Sequence, residues 1–154
     1  MGKTMSVEMT NCGDVGWVSD KSGYRYEKVD PLTGCAWPVM PTCFGEVAQA
    51  CALQAGYEEF HPDACLINRY SAGSKMGLHQ DRDERDFSQP IVSVSLGLPI
   101  IFVFGGTVRT ATKSRCSSNM VMLLCSVVSH ASLSTVSTRC DPENTRQQAT
   151  IDST

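Results

Sequence analysis

The chain is 154 residues long, 42% hydrophobic and 19% charged, with a formal net charge of -3 and a pI near 5.5. That is one domain's length with enough apolar content for a core of its own, and the acidic balance excludes broad electrostatic wrapping of nucleic acid, which relies on many lysine and arginine contacts to phosphate. The longest apolar run, Met120 to Val128 with one serine in it, falls far short of the roughly 20 residues that span a bilayer; no membrane partner is expected.

The N-terminus, MGKTMSVEMT, lacks the apolar stretch of a secretory signal. The eight cysteines, Cys12, Cys35, Cys43, Cys51, Cys65, Cys116, Cys125 and Cys140, include no C-x-x-C pair. Free thiols in a reducing cytosol, and hence a cytoplasmic protein, are expected in preference to a disulfide framework or a zinc site. Lys75, Arg82, Arg85, Arg109, Lys113 and Arg115 make a locally basic subset, for which a solvated surface is the simplest reading.

Residues 11–41, rich in Gly, Pro, Tyr and Trp with turn signals at Asp30-Pro31 and Thr33-Gly34, predict loops and short hairpin strands. Thr42 to Ala55 predicts a helix: Phe44, Val47, Ala48, Cys51, Ala52 and Ala55 recur at helical spacing, Thr42 can cap the start, and Gly56 suits a left-handed stop. Asp63 to Tyr70 predicts a strand with Ala64, Leu66, Asn68 and Tyr70 on one face. After a turn at Ser71-Ala72-Gly73-Ser74, Ile91 to Leu96 and Ile100 to Phe104 predict two more strands, the second ended by Gly105-Gly106. From Cys116 to Thr138 no Asp, Glu, Lys or Arg occurs, and Arg139 to Thr154 is polar and aperiodic, so the last stretch is expected to be poorly ordered.

His79 and Asp81, two apart on an extended segment, can ligate one cation. Alone, an H-x-D is weak, because a single histidine in a strand is more often a hydrogen-bonded structural residue. A triad of two histidines and one carboxylate, however, leaves open positions for a bidentate oxoacid and oxygen, the arrangement of non-haem iron(II) oxygenases. The stretch from Asp63 to Arg109, DACLINRYSAGSKMGLHQDRDERDFSQPIVSVSLGLPIIFVFGGTVR, sets Asn68-Arg69-Tyr70 eleven residues ahead of His79-Gln80-Asp81. In that stretch the chain resembles the AlkB family of iron(II)- and 2-oxoglutarate-dependent dioxygenases, which remove methyl groups from alkylated DNA bases. Upstream, Met9-Thr10-Asn11-Cys12-Gly13, Gly16-Trp17, Gly23-Tyr24-Arg25-Tyr26 and Trp37-Pro38 resemble that family's nucleotide-recognition lid.

The resemblance implies a mainly β fold with one or two helices: a lid and helix over residues 1–60, an incomplete double-stranded β-helix, or jelly-roll, carrying half of an iron site over 61–115, and an aberrant tail over 116–154. It implies His79 and Asp81 as iron ligands and Asn68 and Tyr70 as hydrogen-bond partners of 2-oxoglutarate; the bland alternative for that pair is a satisfied polar couple inside a barrel. Trp17 matches the residue that stacks on a base taken out of the duplex, and Tyr24 a phosphate contact; otherwise both would be core aromatics of a hairpin. Asp83 matches a carboxylate facing the base and is the catalytic candidate, its charge favouring the cationic lesions 1-methyladenine and 3-methylcytosine. Arg109 matches a cation on the lesion side. The implied cofactors are Fe(II), 2-oxoglutarate as cosubstrate and O2, and the implied partner is methylated single- or double-stranded DNA, with RNA left open. A monomer is expected.

The family pattern fails after Arg115. It calls for a second histidine and, beyond it, an arginine that clamps the distal carboxylate of 2-oxoglutarate. His130 is the last histidine, and neither its context, Val128-Ser129-His130-Ala131-Ser132, nor that of Arg139 or Arg146 matches. Reading the third base of each codon with the first two of the next, permitted codons from Ser118 onward spell EHGDVVV and, one residue later, GGESRL. Ser134 to Val136 then yields His-Gly, and Ile151 to Thr154 yields Arg-x-Asn. A frameshifted tail is therefore expected, with oxidative demethylation impaired in this form. The alternative functions are a non-catalytic nucleic-acid-binding remnant or an inactive product of a frameshifted gene.

Overall fold

The computed structural model describes residues 7–71 and 83–97, together with the backbone of strands at 100–104, 114–118, 121–126 and 146–152. Ahead of the helix lie β1 (Val7–Gly13), β2 (Gly16–Asp20) and β3 (Gly23–Glu27); α1 (Thr42–Gln54) is followed by β4 (Ala64–Tyr70), β5 (Ile91–Leu96), β6 (Ile100–Phe104), β7 (Ser114–Ser118), β8 (Val121–Ser126) and β9 (Arg146–Asp152). The molecule is thus mainly β with one helix among the described residues, and β4, β5, β6 and α1 agree with the segments predicted from apolar patterning to within a residue at either end. No helix among the described residues is long and apolar enough to cross a membrane.

The helix starts and stops by different chemistry. Thr42 does not cap it: Pro41 takes the N-cap position with φ -57° and ψ 134°, and no side chain caps the first turn. A proline there is pre-set in φ and has no N–H to satisfy. At the other end Gly56, at φ +93°, closes a Schellman motif in which its own N–H donates to Leu53 O (3.0 Å) and Tyr57 N–H donates to Ala52 O (2.9 Å).

The main sheet has five antiparallel strands in the order β1-β4-β9-β5-β8. Its register aligns Cys65, Ile151 and Val92 in one cross-strand row, Ile67, Ala149 and Val94 in another, and Asn68, Gln148 and Ser95 in a third. Because side chains alternate along a strand, Cys65, Ile67, Val92 and Val94 share one face, and Asn68 and Ser95 lie on the opposite face. Cys65 and Val92 form the floor on which Ala48, Ala52, Cys12 and Phe60 pack, with Ile67, Val94, Phe44, Cys51 and Tyr57 around them. The small Ala48 and Ala52 let the helix approach the sheet closely, and both are fully buried. Cys12, Cys35, Cys43, Cys51 and Cys65 are free thiols.

The aberrant tail over 116–154 contains β8, most of β7 and, in the stretch from Arg139 expected to be poorly ordered, β9. The expectation rested on composition, whereas strand formation here is governed by unsatisfied neighbours. β4 and β5 are not adjacent, so each would present an open edge of N–H and C=O groups without β9 between them; the uncharged run of β8 completes the far side by pairing with β5.

A smaller sheet joins β2 to β3, and another joins β6 to β7. The β2–β3 hairpin is tied at its tip by Arg25, whose guanidinium donates to both carboxylate oxygens of Asp20 at 3.0 Å and to Glu27 at 2.6 Å. The Arg25 hydrogen bond, followed by the Ser22 backbone N–H, holds the Asp20 carboxyl below its ordinary value.

Phe60→Ala should cost about 3–5 kcal/mol, as expected for emptying a buried aromatic site that neighbours only partly refill; chemical denaturation checks it. Because the folded Asp20 value is depressed, its support of the hairpin is present above the ordinary carboxylate range and lost as pH falls through its folded midpoint. In Arg25→Ala that midpoint, read by carboxyl carbon titration, should rise toward the ordinary value; an unmoved midpoint would contradict the assignment.

Candidate nucleotide and cosubstrate site

The face of the main sheet opposite α1 is buried and mixes apolar residues, Val7, Ala64 and Ile91, with polar ones. All four buried polar side chains among the described residues, Asn11, Asn68, Ser93 and Ser95, lie on this face. Asn68 is 3% and Tyr70 1% exposed, side by side on one face of β4 as the alternation predicts. Two buried oxygens in this row, Asn68 Oδ1 and Ser95 Oγ, have no hydrogen-bond partner among the described residues. A buried polar atom left unpaired costs roughly 1–3 kcal/mol, so such a row is out of place in an ordinary core. An oxygen-rich small molecule would meet it well: turned over, the Asn68 amide offers N–H donors to a carboxylate, and Ser95 offers a hydroxyl.

The lid grows from the start of the same strand. Asp14 N–H and Val15 N–H donate to Asp63 O at 2.7 and 3.3 Å, and Val15 bridges Ala64. From this root β2 carries Trp17, whose backbone N–H donates to Asn11 Oδ1 and whose carbonyl accepts from Asn11 Nδ2, both at 3.0 Å. The Trp17 indole stacks on Tyr24 with ring centroids 5.3 Å apart and planes 13° from parallel. That is the diagonal contact expected on one face of the hairpin, because Trp17 stands opposite Tyr26, two residues from Tyr24. Finally, Trp17 Nε1 donates to Asp83 Oδ2 at 3.0 Å across 66 residues of sequence.

Three predicted site residues, Trp17, Tyr24 and Asp83, are therefore in mutual contact through the tryptophan. Tyr24 is 65% exposed, so its ring supports the indole while its hydroxyl edge stays open to solvent. Trp37 buttresses the hairpin base: its Nε1 donates to Glu27 O at 2.7 Å, and the ring lies so close to Gly16 that a Cβ there would enter it. His79, Asp81 and Arg109 lie outside the described residues. Two participants escaped the sequence reading. Ser95 is signalled by serines at alternate positions of an otherwise apolar strand, IVSVSL; Asn11, in a strand of mixed polarity, has no comparable signal.

Residues 1–127 match the model of the 2OG-Fe(II) oxygenase superfamily. The alpha-ketoglutarate-dependent dioxygenase AlkB of Escherichia coli (strain K12) is 58% identical over 108 residues, 70% of this chain and 50% of that protein. The AlkB homolog of Caulobacter vibrioides (strain NA1000 / CB15N) is 47% identical over 108 residues, 70% of this chain and 47% of its own length. The chain thus spans about half the length of these curated relatives. In fold it is similar to the solved structure of OsALKBH1, with a TM-score of 0.76 at 23% identity, covering 97% of this chain and 79% of that one; the shared architecture is the jelly-roll of 2-oxoglutarate oxygenases. With a buried polar strand face, an aromatic lid rooted on that strand and a family match over most of its length, the chain belongs to the AlkB family within the 2OG-Fe(II) oxygenase superfamily.

Proposed function

We propose that this chain derives from an oxidative demethylase of alkylated DNA bases and carries the lid, the cosubstrate strand and part of the metal site of that enzyme. The observation that carries the reading is the buried row of Asn68 and Ser95, whose unpaired oxygens suit a small oxoacid. Asn68 and Tyr70 hold and orient 2-oxoglutarate, and His79 and Asp81 hold iron(II). When bound together, the metal and cosubstrate supply the oxidising power that, with O2, hydroxylates an N-methyl carbon, which then leaves the base as formaldehyde.

The remaining steps belong to the chain's own side chains. Trp17 stacks on the extruded base with the face that Tyr24 leaves open, and base–aromatic stacking contributes about 1–3 kcal/mol. Tyr24 reaches a phosphate from the exposed edge of the stack, and Arg109 lies on the lesion side. Asp83 holds the indole through Oδ2 and turns its negative charge toward the base. A carboxylate there favours 1-methyladenine and 3-methylcytosine, which carry positive charge, over their neutral parents. Closure of the lid over the lesion excludes water from the reacting carbon.

As it stands, the chain is an impaired enzyme. The second histidine and the arginine clamp that the family pattern requires have no matching residues after Arg115, and the curated relatives align over only 70% of the chain. A shifted reading frame supplies both in order, which makes a frameshift the economical account of the tail.

Iron(II) binding should be weak and should be lost in His79→Ala and Asp81→Ala; unchanged binding in either variant sinks the ligand assignment. Little or no formaldehyde should be released from a 3-methylcytosine oligonucleotide, and robust turnover dependent on 2-oxoglutarate would refute the impairment and point to His130 as a substitute ligand. The coding DNA after about Arg115 should contain the EHGD run and the His-Gly in another frame; their absence ends the frameshift proposal, and a corrected gene should regain demethylation.

A further inference from the structure

We propose that Asn11 is the positioning residue for the stacking tryptophan, setting the pose of Trp17 through its backbone; this rests on the reading of Trp17 as the base-stacking surface. Asn11 stands on β1, the edge strand of the main sheet, opposite Leu66 of β4, and is 7% exposed. Its side-chain amide meets both backbone polar groups of one residue, accepting from Trp17 N–H and donating to Trp17 C=O, each at 3.0 Å. That pattern reproduces one hydrogen-bonded pair of an antiparallel ladder, with a side chain standing in for a strand.

The consequence is directional. Within an antiparallel hairpin, a residue whose N–H and C=O both point outward forms a non-hydrogen-bonded pair with its partner, so Trp17 and Tyr26 make no ladder bonds to each other. Asn11 alone among the described side chains therefore satisfies the Trp17 backbone and ties it to the sheet that carries Asn68 and Tyr70. With the backbone fixed, the indole reaches Asp83 with its N–H and lies on Tyr24 with one face. Neither ring contact can hold the residue in register by itself: the Tyr24 ring is largely exposed and travels with the hairpin, and the Asp83 bond is a single contact. Asn11 touches neither base nor cosubstrate; it acts through Trp17.

The test uses the full chain and its two tryptophans, which give two indole N–H cross-peaks in a nitrogen–proton correlation spectrum, assigned by Trp17→Phe. In Asn11→Leu the Trp17 cross-peak should shift and broaden while that of Trp37 stays. Affinity for a single-stranded 3-methylcytosine oligonucleotide should fall by at most roughly five- to 150-fold, the range that two neutral hydrogen bonds span. Cys65→Ala, which empties space in the core beneath α1, should lower the denaturation midpoint yet leave the Trp17 cross-peak and the affinity alone. An unmoved Trp17 cross-peak in Asn11→Leu, or an equal displacement in Cys65→Ala, overturns the proposal. If Asn11→Leu does not fold, Asn11→Asp serves in its place, since it keeps the acceptor and loses the donor, and an unmoved cross-peak there is equally fatal. Failure of the stacking reading is seen separately: Trp17→Ala would then bind the oligonucleotide as tightly as the parent.

Discussion

A one-residue slip of β4 against its neighbours would put Asn68 and Tyr70 under α1 and turn Cys65 and Ile67 to the other side. The register prevents this because each face has its own requirement. Beneath the helix only apolar side chains fit against Ala48 and Ala52, and burying the Asn68 amide there would add an unpaired polar group with no compensation. On the opposite face, which carries Asn11, Asn68, Ser93 and Ser95, the Asn68 Oδ1 and Ser95 Oγ oxygens have no partner among the described residues. Separating a dry apolar core from a buried face that carries polar side chains, strand by strand, stabilises this small domain and, on the proposed reading, leaves a place for a charged oxoacid.

The lid inherits its position from the same strand. It leaves β1 at Gly13, is hydrogen-bonded to Asp63 immediately ahead of β4, and returns through Trp37, whose indole closes over Gly16. A two-stranded hairpin is marginal alone in water, and this one is held by buried Val15 and Val18, by Trp37 on Glu27, and by the Asn11 amide. Its outer surface is left to Trp17 and Tyr24, an aromatic pair backed by a carboxylate that comes from beyond β4. Apolar stacking area and a negative charge converge on one side chain, which suits a flat cationic ring better than a neutral one.

Much of this was legible in the sequence, and the parts that were not share a cause. The alternation in ACLINRY and IVSVSL fixes which residues face together, and the helical spacing of Phe44, Ala48, Cys51 and Ala52 fixes the helix and its buried side. Trp17, Tyr24 and Asp83 could be named only by resemblance, because they are 66 residues apart at the extremes and no local pattern announces a tertiary contact. Pro41 stands at the N-cap in place of Thr42 with an extended backbone, and its carbonyl accepts from Phe44 N–H at 2.9 Å, which satisfies that first-turn donor without a side-chain cap. The strands after Arg115 were hidden for a further reason: polar, aperiodic composition describes what a segment can bury, whereas β9 is inserted by the backbone demand of β4 and β5 on either side.

The central claim is that the buried polar face of β4 is a cosubstrate site. It is tested most directly by following the Asn68 side-chain amide in a nitrogen–proton correlation spectrum while 2-oxoglutarate is added with zinc(II), a redox-inert and diamagnetic stand-in for iron(II). The account predicts that the Asn68 amide pair moves together with the backbone of Tyr70 and Ser95, while Ile67 and Val94 under the helix stay in place. A titration that leaves Asn68 unmoved, or that displaces the helix-side residues instead, would contradict it.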